Sequence, residues 1–270
     1  MTDAMAITDF HTHAFPDSIA ERAIRTLEAE TDRVKARLDG RLASLVASMD
    51  RAGISRSVLC SIATKPEQFP SILDWSRKIA SARIVPFPSI HPRDPDGAAR
   101  VRLVVGAGFR GVKFHPYYQA FDLDDESLFP LYDAIQAAGL IMVCHTGFDI
   151  AFPRIRRADP AKVLKVMGIF PRLKLAATHL GAWDDWDEVR RLLLGRPVYM
   201  EISYSLEMLS AAAARELLLA HPAEYLLFGT DSPWQDQSEA LKLVRGLRLG
   251  EGRERALLCD NARRLLDGRA

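Results

Sequence analysis

The sequence contains few cysteines, and they form no recognisable pattern. Its 270 residues include three, Cys60, Cys144 and Cys259, an odd number at wide spacing. This argues against a disulfide framework, which pairs an even number of cysteines in an oxidising compartment. Cys60 and Cys144 lie inside apolar runs, where a buried, unreactive thiol is the expected state. We therefore expect a protein of a reducing compartment, the cytoplasm.

Long apolar segments and an excess of charge are also missing. No stretch approaches the ~20 apolar residues of a transmembrane helix, and the N-terminus lacks the basic region and apolar run of a signal peptide. The 36 basic and 35 acidic residues give a net charge of +1. No overall field therefore favours nucleic acid or an anionic membrane, and we expect neither as a partner. A glycine-rich phosphate loop is absent after the first apolar run, which argues against nucleotide binding.

Four apolar runs, by contrast, each end in a potential metal ligand. They are ITDFHTH at 7–13, IMVCHTG at 141–147, LAATHLG at 175–181 and YLLFGTD at 225–231. Each pattern predicts a buried strand that delivers a polar side chain at its C-terminal end. Because a closed parallel barrel opens all its strand C-termini onto one face, these side chains are expected to converge there.

Short apolar runs alternate with segments of helical periodicity along the whole chain. The predicted strands are Ala6–Phe10, Ser57–Ile62, Ile84–Ser89, Gly111–Phe114, Leu140–His145, Lys174–Ala177, Val198–Glu201 and Tyr225–Phe228. The predicted helices are Leu38–Ala52, Glu67–Ala82, Pro95–Ala107, Glu126–Ala138, Pro160–Ile169, Asp185–Leu194, Leu209–Ala220 and Ser238–Leu247. Eight β-then-α units predict an α/β fold, a (β/α)8 TIM barrel that forms a single domain over residues 1–270.

Two further segments fall outside this alternation. The connection from Ala14 to Asp39 is long and has its own helical pattern, Ser18–Lys35. Long loops of this kind serve as lids or as substrate-binding excursions. At the C-terminus, Glu251–Leu258 and Asn261–Leu266 are predicted helices of the barrel's outer ring.

The candidate ligands fit one metal centre. His11 and His13 are two residues apart on a strand, so both side chains leave the same face. Alone, this pair is equally compatible with two structural histidines. His145 at the end of the fifth strand and Asp231 after the eighth favour a metal. Three imidazoles and one carboxylate suit a divalent ion, and zinc is the expected one.

Six short motifs in this order carry a family resemblance. They are DFHTH at 9–13, GVKFHP at 111–116, HTG at 145–147, THLG at 178–181, GTDSP at 229–233 and DNA at 260–262. Over nearly the whole chain the sequence resembles the amidohydrolase superfamily, and within it the amidohydrolase-related branch of hydrolases, lactonases and non-oxidative decarboxylases. The resemblance implies that His11, His13, His145 and Asp231 are metal ligands. It also implies that His179 faces the reacting group or a second metal.

Chemistry suggests a role for each of the remaining polar residues. Asp231 can accept a proton from water and pass it to the leaving group, and His179 can stabilise an oxyanion or protonate a leaving group. Lys113 is expected to bind a substrate carboxylate beside one metal; the alternative, known from binuclear relatives, is a carbamate that bridges two metals. His115, two residues further on, is expected to contact substrate, or else to cap the turn that follows.

These residues support an enzyme that acts on a small molecule. The leading hypothesis is a metal-dependent hydrolase of an amide, ester or lactone that uses a metal-activated water. The alternative is a metal-dependent non-oxidative decarboxylase, because the same ligands can hold a substrate carboxylate. A non-catalytic metal-binding barrel is the remaining hypothesis. Apart from the small-molecule substrate, exposed loop aromatics are compatible with a homodimer as the partner.

Overall fold

Strands and helices alternate throughout residues 5–268, the part of the chain that this computed structural model describes. The eight strands are β1 (Thr8–Thr12), β2 (Arg56–Cys60), β3 (Ile84–Phe87), β4 (Gly111–Phe114), β5 (Ile141–Cys144), β6 (Lys174–Ala177), β7 (Tyr199–Glu201) and β8 (Leu226–Leu227). The helices are α1 (Asp17–Glu28), α2 (Leu42–Ala52), α3 (Phe69–Ile79), α4 (Gly97–Gly106), α5 (Phe129–Ala137), α6 (Pro160–Ile169), α7 (Trp186–Leu192), α8 (Ala211–Ala220), α9 (Gln237–Gly246), α10 (Glu251–Arg255) and α11 (Asn261–Asp267). Within this range every helix is too short or too polar to cross a membrane.

The strands close into a barrel. β1 to β3 pair in parallel in one run, and β4 to β8 pair in parallel in a second run. A bridge between Ser89 and Lys113 joins the runs on one side. On the other side, Phe10 N donates to Phe228 O at 2.7 Å and Asp231 N donates to His11 O at 2.8 Å. The predicted (β/α)8 fold is thereby confirmed.

β1 lies two residues further along the chain than the sequence predicts. We predicted Ala6–Phe10, whereas the strand runs from Thr8 to Thr12, so that His11 lies inside it. Asp9 pairs with Ser57 and Thr12 with Leu59, so three steps along β1 oppose two along β2. This is a β-bulge, a device that re-aims side chains and is common beside active sites. Polar residues after Phe10 hid the continuation of the strand.

The barrel interior and its outer shell have separate cores. The interior is filled by apolar side chains from most of the strands, namely Phe10, Val58, Cys60, Phe87, Ile141, Val143, Ala176 and Leu227. Ala262, Leu265 and Leu266 of α11 belong to the same cluster. α11 therefore closes the barrel at the N-terminal ends of the strands, where Arg56 pairs with Asp267 at 3.0 Å. The sequence predicts this helix in the outer ring of the barrel, and that prediction is wrong.

The long connection after β1 is an ordered excursion that includes α1. Its two ends meet where Phe15 pairs with Arg41. Farther out, Arg37 N donates to Pro233 O at 2.6 Å, and the Tyr118 hydroxyl donates to Glu30 Oε2 at 2.6 Å. These contacts fix the excursion, hereafter the α1 excursion (residues 16–40), beside the open end of the barrel.

Candidate metal centre

All the residues singled out in the sequence line one cavity at the C-terminal ends of the strands. Its volume is about 570 Å³. The side chains come from five strands or the residues just after them, and they are His11, His13, Lys113, His115, His145, His179 and Asp231. The barrel topology thus brings together residues that lie up to 220 positions apart, as the strand-end pattern predicted.

His11, His13 and Asp231 form the tightest donor cluster. One ligand atom of each lies within 4.8 Å of the others. The Nε2 atoms of the two histidines are 3.1 Å apart, and Asp231 Oδ1 is 3.1 Å from His13 Nε2 and 3.4 Å from His11 Nε2. The Nδ1 atom of His13 donates to Cys60 O at 2.7 Å, and that of His11 donates to Glu201 Oε2 at 2.9 Å. Both Nε2 atoms therefore present lone pairs to the carboxylate, an arrangement that fits a cation.

A second pair of imidazoles faces inward in the same way. His145 Nε2 donates to Phe148 O at 3.0 Å, and His179 Nδ1 donates to Ser203 O at 3.1 Å. The remaining nitrogens, His145 Nδ1 and His179 Nε2, are 3.0 Å apart, and both carry lone pairs. The structure thus places His145 next to His179 rather than within the group formed by His11, His13 and Asp231.

Lys113 stands beside the first cluster. It is fully buried, and its Nζ atom is 2.7 Å from His11 Nε2. An ammonium and a metal ion cannot both take the lone pair of His11. The Nζ atom of Lys113 therefore occupies a position that a metal ion bound to His11 Nε2 would need.

His115 contacts the second imidazole pair instead of capping a turn. Its ring stacks on His145 with centroids 4.2 Å apart, and its Nε2 atom is 3.5 Å from Asp149 Oδ2. Asp149 was not among the predicted residues, because it lies in the β5–α6 loop without a strand to mark it. Burial raises its pKa to about 6. Asp149 with His115 and His145 forms another group of donors within 4.8 Å.

Glu201 is a functional candidate that sequence reasoning missed. It is fully buried at the end of β7 and holds His11 by the Nδ1 contact. Ser203 donates to it through both its backbone N and its hydroxyl. Burial raises the pKa of Glu201 well above its usual value, and the bonds from Ser203 partly offset this. Gly229 leaves room for this carboxylate, since a Cβ there would overlap it. The sequence did contain a signal: like Lys113, Glu201 is a charged residue in an apolar strand.

Asp9 connects β1 to the segment that carries Asp231. Its carboxylate accepts from Thr230 N at 3.0 Å, from Thr230 Oγ1 at 2.7 Å and from Gln237 Nε2 at 2.7 Å. Burial raises the pKa of Asp9 to about 6, although the hydrogen bonds from Gln237 and Thr230 lower it in part. These bonds hold Asp231 at its position, where its φ of 59° is a left-handed conformation that costs about 1–3 kcal/mol and requires such support.

The protonation states of the cluster suit a metal. Burial, followed by the charge of Lys113, lowers the pKa of His11 well below its usual value. Burial likewise lowers the pKa of His145 and takes that of His179 to about 4. Burial alone would raise the pKa of Asp231, but its contact with His13 and the charge of Lys113 outweigh it, and the net shift is downward. Neutral imidazoles and an ionised carboxylate are the forms that bind metals.

A parallel (β/α)8 barrel with histidine and aspartate donors at its strand C-termini has the architecture of a metal-dependent barrel enzyme. The family model described as amidohydrolase matches residues 8–268. The chain therefore belongs to the amidohydrolase family, and the resemblance seen in its motifs is confirmed. No curated protein matches the sequence significantly.

Solved structures with the same fold cover almost the whole chain. An uncharacterized TIM-barrel protein from Bordetella bronchiseptica has a TM-score of 0.78 and 21% identity, and the match covers 97% of this chain and 99% of that one. A dihydroxybenzoic acid decarboxylase from Polaromonas, with bound manganese and an inhibitor, has a TM-score of 0.73 and 16% identity over 98% of both chains. A probable 2-pyrone-4,6-dicarboxylic acid hydrolase from Acinetobacter baumannii has a TM-score of 0.69 and 13% identity, covering 97% of this chain and 100% of that one. At these identities the similarity establishes the fold.

Proposed function

We propose that the protein is a metal-dependent hydrolase that cleaves an amide, ester or lactone bond of a small molecule. The observation that carries the proposal is the cluster of His11, His13 and Asp231, in which two imidazole lone pairs and a carboxylate oxygen face one another within 4.8 Å. His145 is the proposed additional ligand. Membership of the amidohydrolase family favours an enzyme over a non-catalytic metal-binding barrel.

The residues have distinct proposed roles in this reaction. A divalent cation, when bound, supplies a water of lowered pKa and polarises a carbonyl. Asp231 Oδ1 accepts the proton of the attacking water and transfers it to the leaving group. His179 can donate a hydrogen bond to the oxygen on which charge develops only after its Nε2 atom has taken up a proton, because its Nδ1 hydrogen is bonded to Ser203 O. Lys113 and His115 orient the substrate. Zinc remains the expected ion, although imidazole and carboxylate ligands accept manganese as well.

Decarboxylation is the second candidate, and the position of Lys113 favours it. Lys113 is buried beside the candidate metal ligands, and once its Nζ atom leaves His11 Nε2 it could pair with a substrate carboxylate. The Polaromonas structure of the same fold is a decarboxylase with bound manganese. In such a reaction Asp231 or His179 would protonate the carbon from which carbon dioxide departs.

Product analysis separates the two reactions. We would screen lactones, esters, amides and aromatic carboxylic acids with metal-loaded protein in water enriched in oxygen-18. Hydrolysis predicts one labelled oxygen in the acid product and no carbon dioxide. Release of carbon dioxide, with no label entering the organic product, would reject hydrolysis for that substrate and assign a lyase.

Replacement of Glu201 by glutamine should weaken metal binding by about 10- to 100-fold while leaving the fold intact, because outer partners of metal-bound histidines typically contribute this much. Glutamine has nearly the same size, so the space next to Gly229 stays filled. Metal affinity is measured by competition with a chromophoric chelator. A Glu216→Gln variant, changed on the exposed surface of α8, is the matched control. Equal affinities in both variants would remove Glu201 from the metal centre.

A further inference from the structure

The cavity extends from the strand ends to the helices α1 and α3. The lining includes polar side chains from both helices, namely Ser18, Arg22, Thr26 and Ser71. Its apolar side chains on α1 are Ile19, Ala23 and Leu27, which are spaced four residues apart and so lie on one face. Its apolar side chains on α3 are Ile72 and Trp75. These five residues, hereafter the apolar groove, are continuous with the cavity that holds the candidate metal ligands.

Four of the five groove residues lie outside the protein's own core, whereas Trp75 packs against it. On α1 the core-facing residues are Ala20 and Ile24, which are buried. The groove residues Ile19 and Ala23 each precede one of these core-facing residues in the sequence, so they point to a neighbouring face of the helix. Together with Leu27 they are only half-buried. The helix therefore has one apolar stripe for the core and a second one that faces the cavity. Covering such a surface contributes about 25 cal/mol for each Å² removed from water.

The charged side chains of the cavity lie almost entirely at its base, the part at the strand ends that holds the candidate metal centre. The ionisable side chains there are those of the candidate metal centre, and on the two helices the lining contains one charged residue, the exposed Arg22. The nearby Arg154 and Arg156 lie outside the lining and pair with Asp184 and Asp185. An anionic group of the substrate would find no buried cation to pair with in the groove. An uncharged apolar group would be well matched to it.

We propose that the substrate carries an uncharged apolar group, alkyl or aryl, which lies in the groove between α1 and α3 while the reacting carbonyl lies at the base. This inference rests on the proposed function, since the base is the candidate metal centre. The anchors of the α1 excursion, such as the Tyr118–Glu30 hydrogen bond, keep the groove in place before substrate arrives. A preformed wall of this kind improves binding because little of it must be ordered.

Two matched series of compounds test the groove. The first is linear hydroxamic acids from two to eight carbons, which chelate a metal; the second is the corresponding primary amides, which do not. Dissociation constants are measured by calorimetry on zinc-loaded protein. We expect affinity to rise about fourfold with each methylene in both series until the groove is filled. Affinities that do not change with chain length in the wild-type protein would overturn the proposal.

Variants locate the effect in the groove. Ala23→Phe fills it and should flatten the dependence on chain length, whereas Ala212→Phe, the same change at an exposed position on α8, should leave the dependence as in the wild type. Leu27→Gln, a polar replacement of similar size, gives an independent check and should also flatten it. Equal slopes in Ala23→Phe, Leu27→Gln and Ala212→Phe would reject the groove.

The two series also keep this proposal separate from the proposed function. Hydroxamates that bind more tightly than amides of equal length support a metal at the base. If the two series bind equally, the metal-dependent function fails, and the slope of the amide series alone still accepts or rejects the groove.

Discussion

Replacing His13 by alanine should remove the metal ion and reduce turnover to background without unfolding the protein. His13 Nε2 faces both His11 and Asp231, so its loss leaves the cluster with one imidazole and one carboxylate. Metal affinity should fall by more than about 100-fold, since an outer partner alone contributes 10- to 100-fold. Its other contact is a single hydrogen bond to Cys60 O, worth about 1 kcal/mol of stability. Metal content, turnover and urea unfolding are measured on the same preparation.

The comparison with His11→Ala separates binding from stability. That variant should lose the metal too, but it also leaves the buried carboxylate of Glu201 without its imidazole partner. Leaving a buried hydrogen-bonding group without one of its partners costs about 1–3 kcal/mol. His91→Ala is the control, because His91 follows β3 yet lies outside the cavity lining. Normal metal content and turnover in His13→Ala would reject the metal assignment.

The sequence predicted the elements that position the site because they depend on local patterns. A buried parallel strand is a short apolar run, and its C-terminal end is marked by the first polar side chain. β4 and β6 have the predicted bounds, and α6 does as well. The barrel then follows from eight repeats of one unit. For the same reason every residue expected in the site lines the same cavity.

What the sequence did not reveal are contacts between distant segments. Glu201 acts through His11, which is 190 residues away, and Asp9 acts on the loop of Asp231 through Thr230 and Gln237. Neither pairing leaves a local pattern. The bulge in β1 likewise depends on the register with β2 and not on its own residues. The imidazoles form two pairs, one with His11 and His13 and one with His145 and His179. Backbone carbonyls such as Cys60 O orient these rings by hydrogen bonds, and a sequence gives no sign of such bonds.

Asp231→Asn should retain most of the metal yet lose about 10²- to 10⁴-fold in kcat, the usual contribution of a general base. Asparagine keeps the size and one ligand oxygen, and His11 and His13 remain in place. It cannot accept a proton from water. Since the substrate binds through other groups, KM should change far less than kcat, which distinguishes a lost transition-state interaction from lost binding. Kinetics use the substrate identified by product analysis, with metal content measured in parallel.

Asp184→Asn provides the matched control for Asp231→Asn. Asp184 also has a left-handed backbone, with a φ of 54°, but it lies on the surface in an ion pair with Arg154. The same chemical change there removes a surface interaction worth about 0.2–1 kcal/mol and no proton acceptor from the cavity. Unchanged kcat in Asp231→Asn would exclude Asp231 as the base. Loss of the metal together with kcat would show that Asp231 acts mainly as a metal ligand. Another group in the cavity would then have to transfer the proton, and Asp149, the other aspartate in the lining, is the candidate.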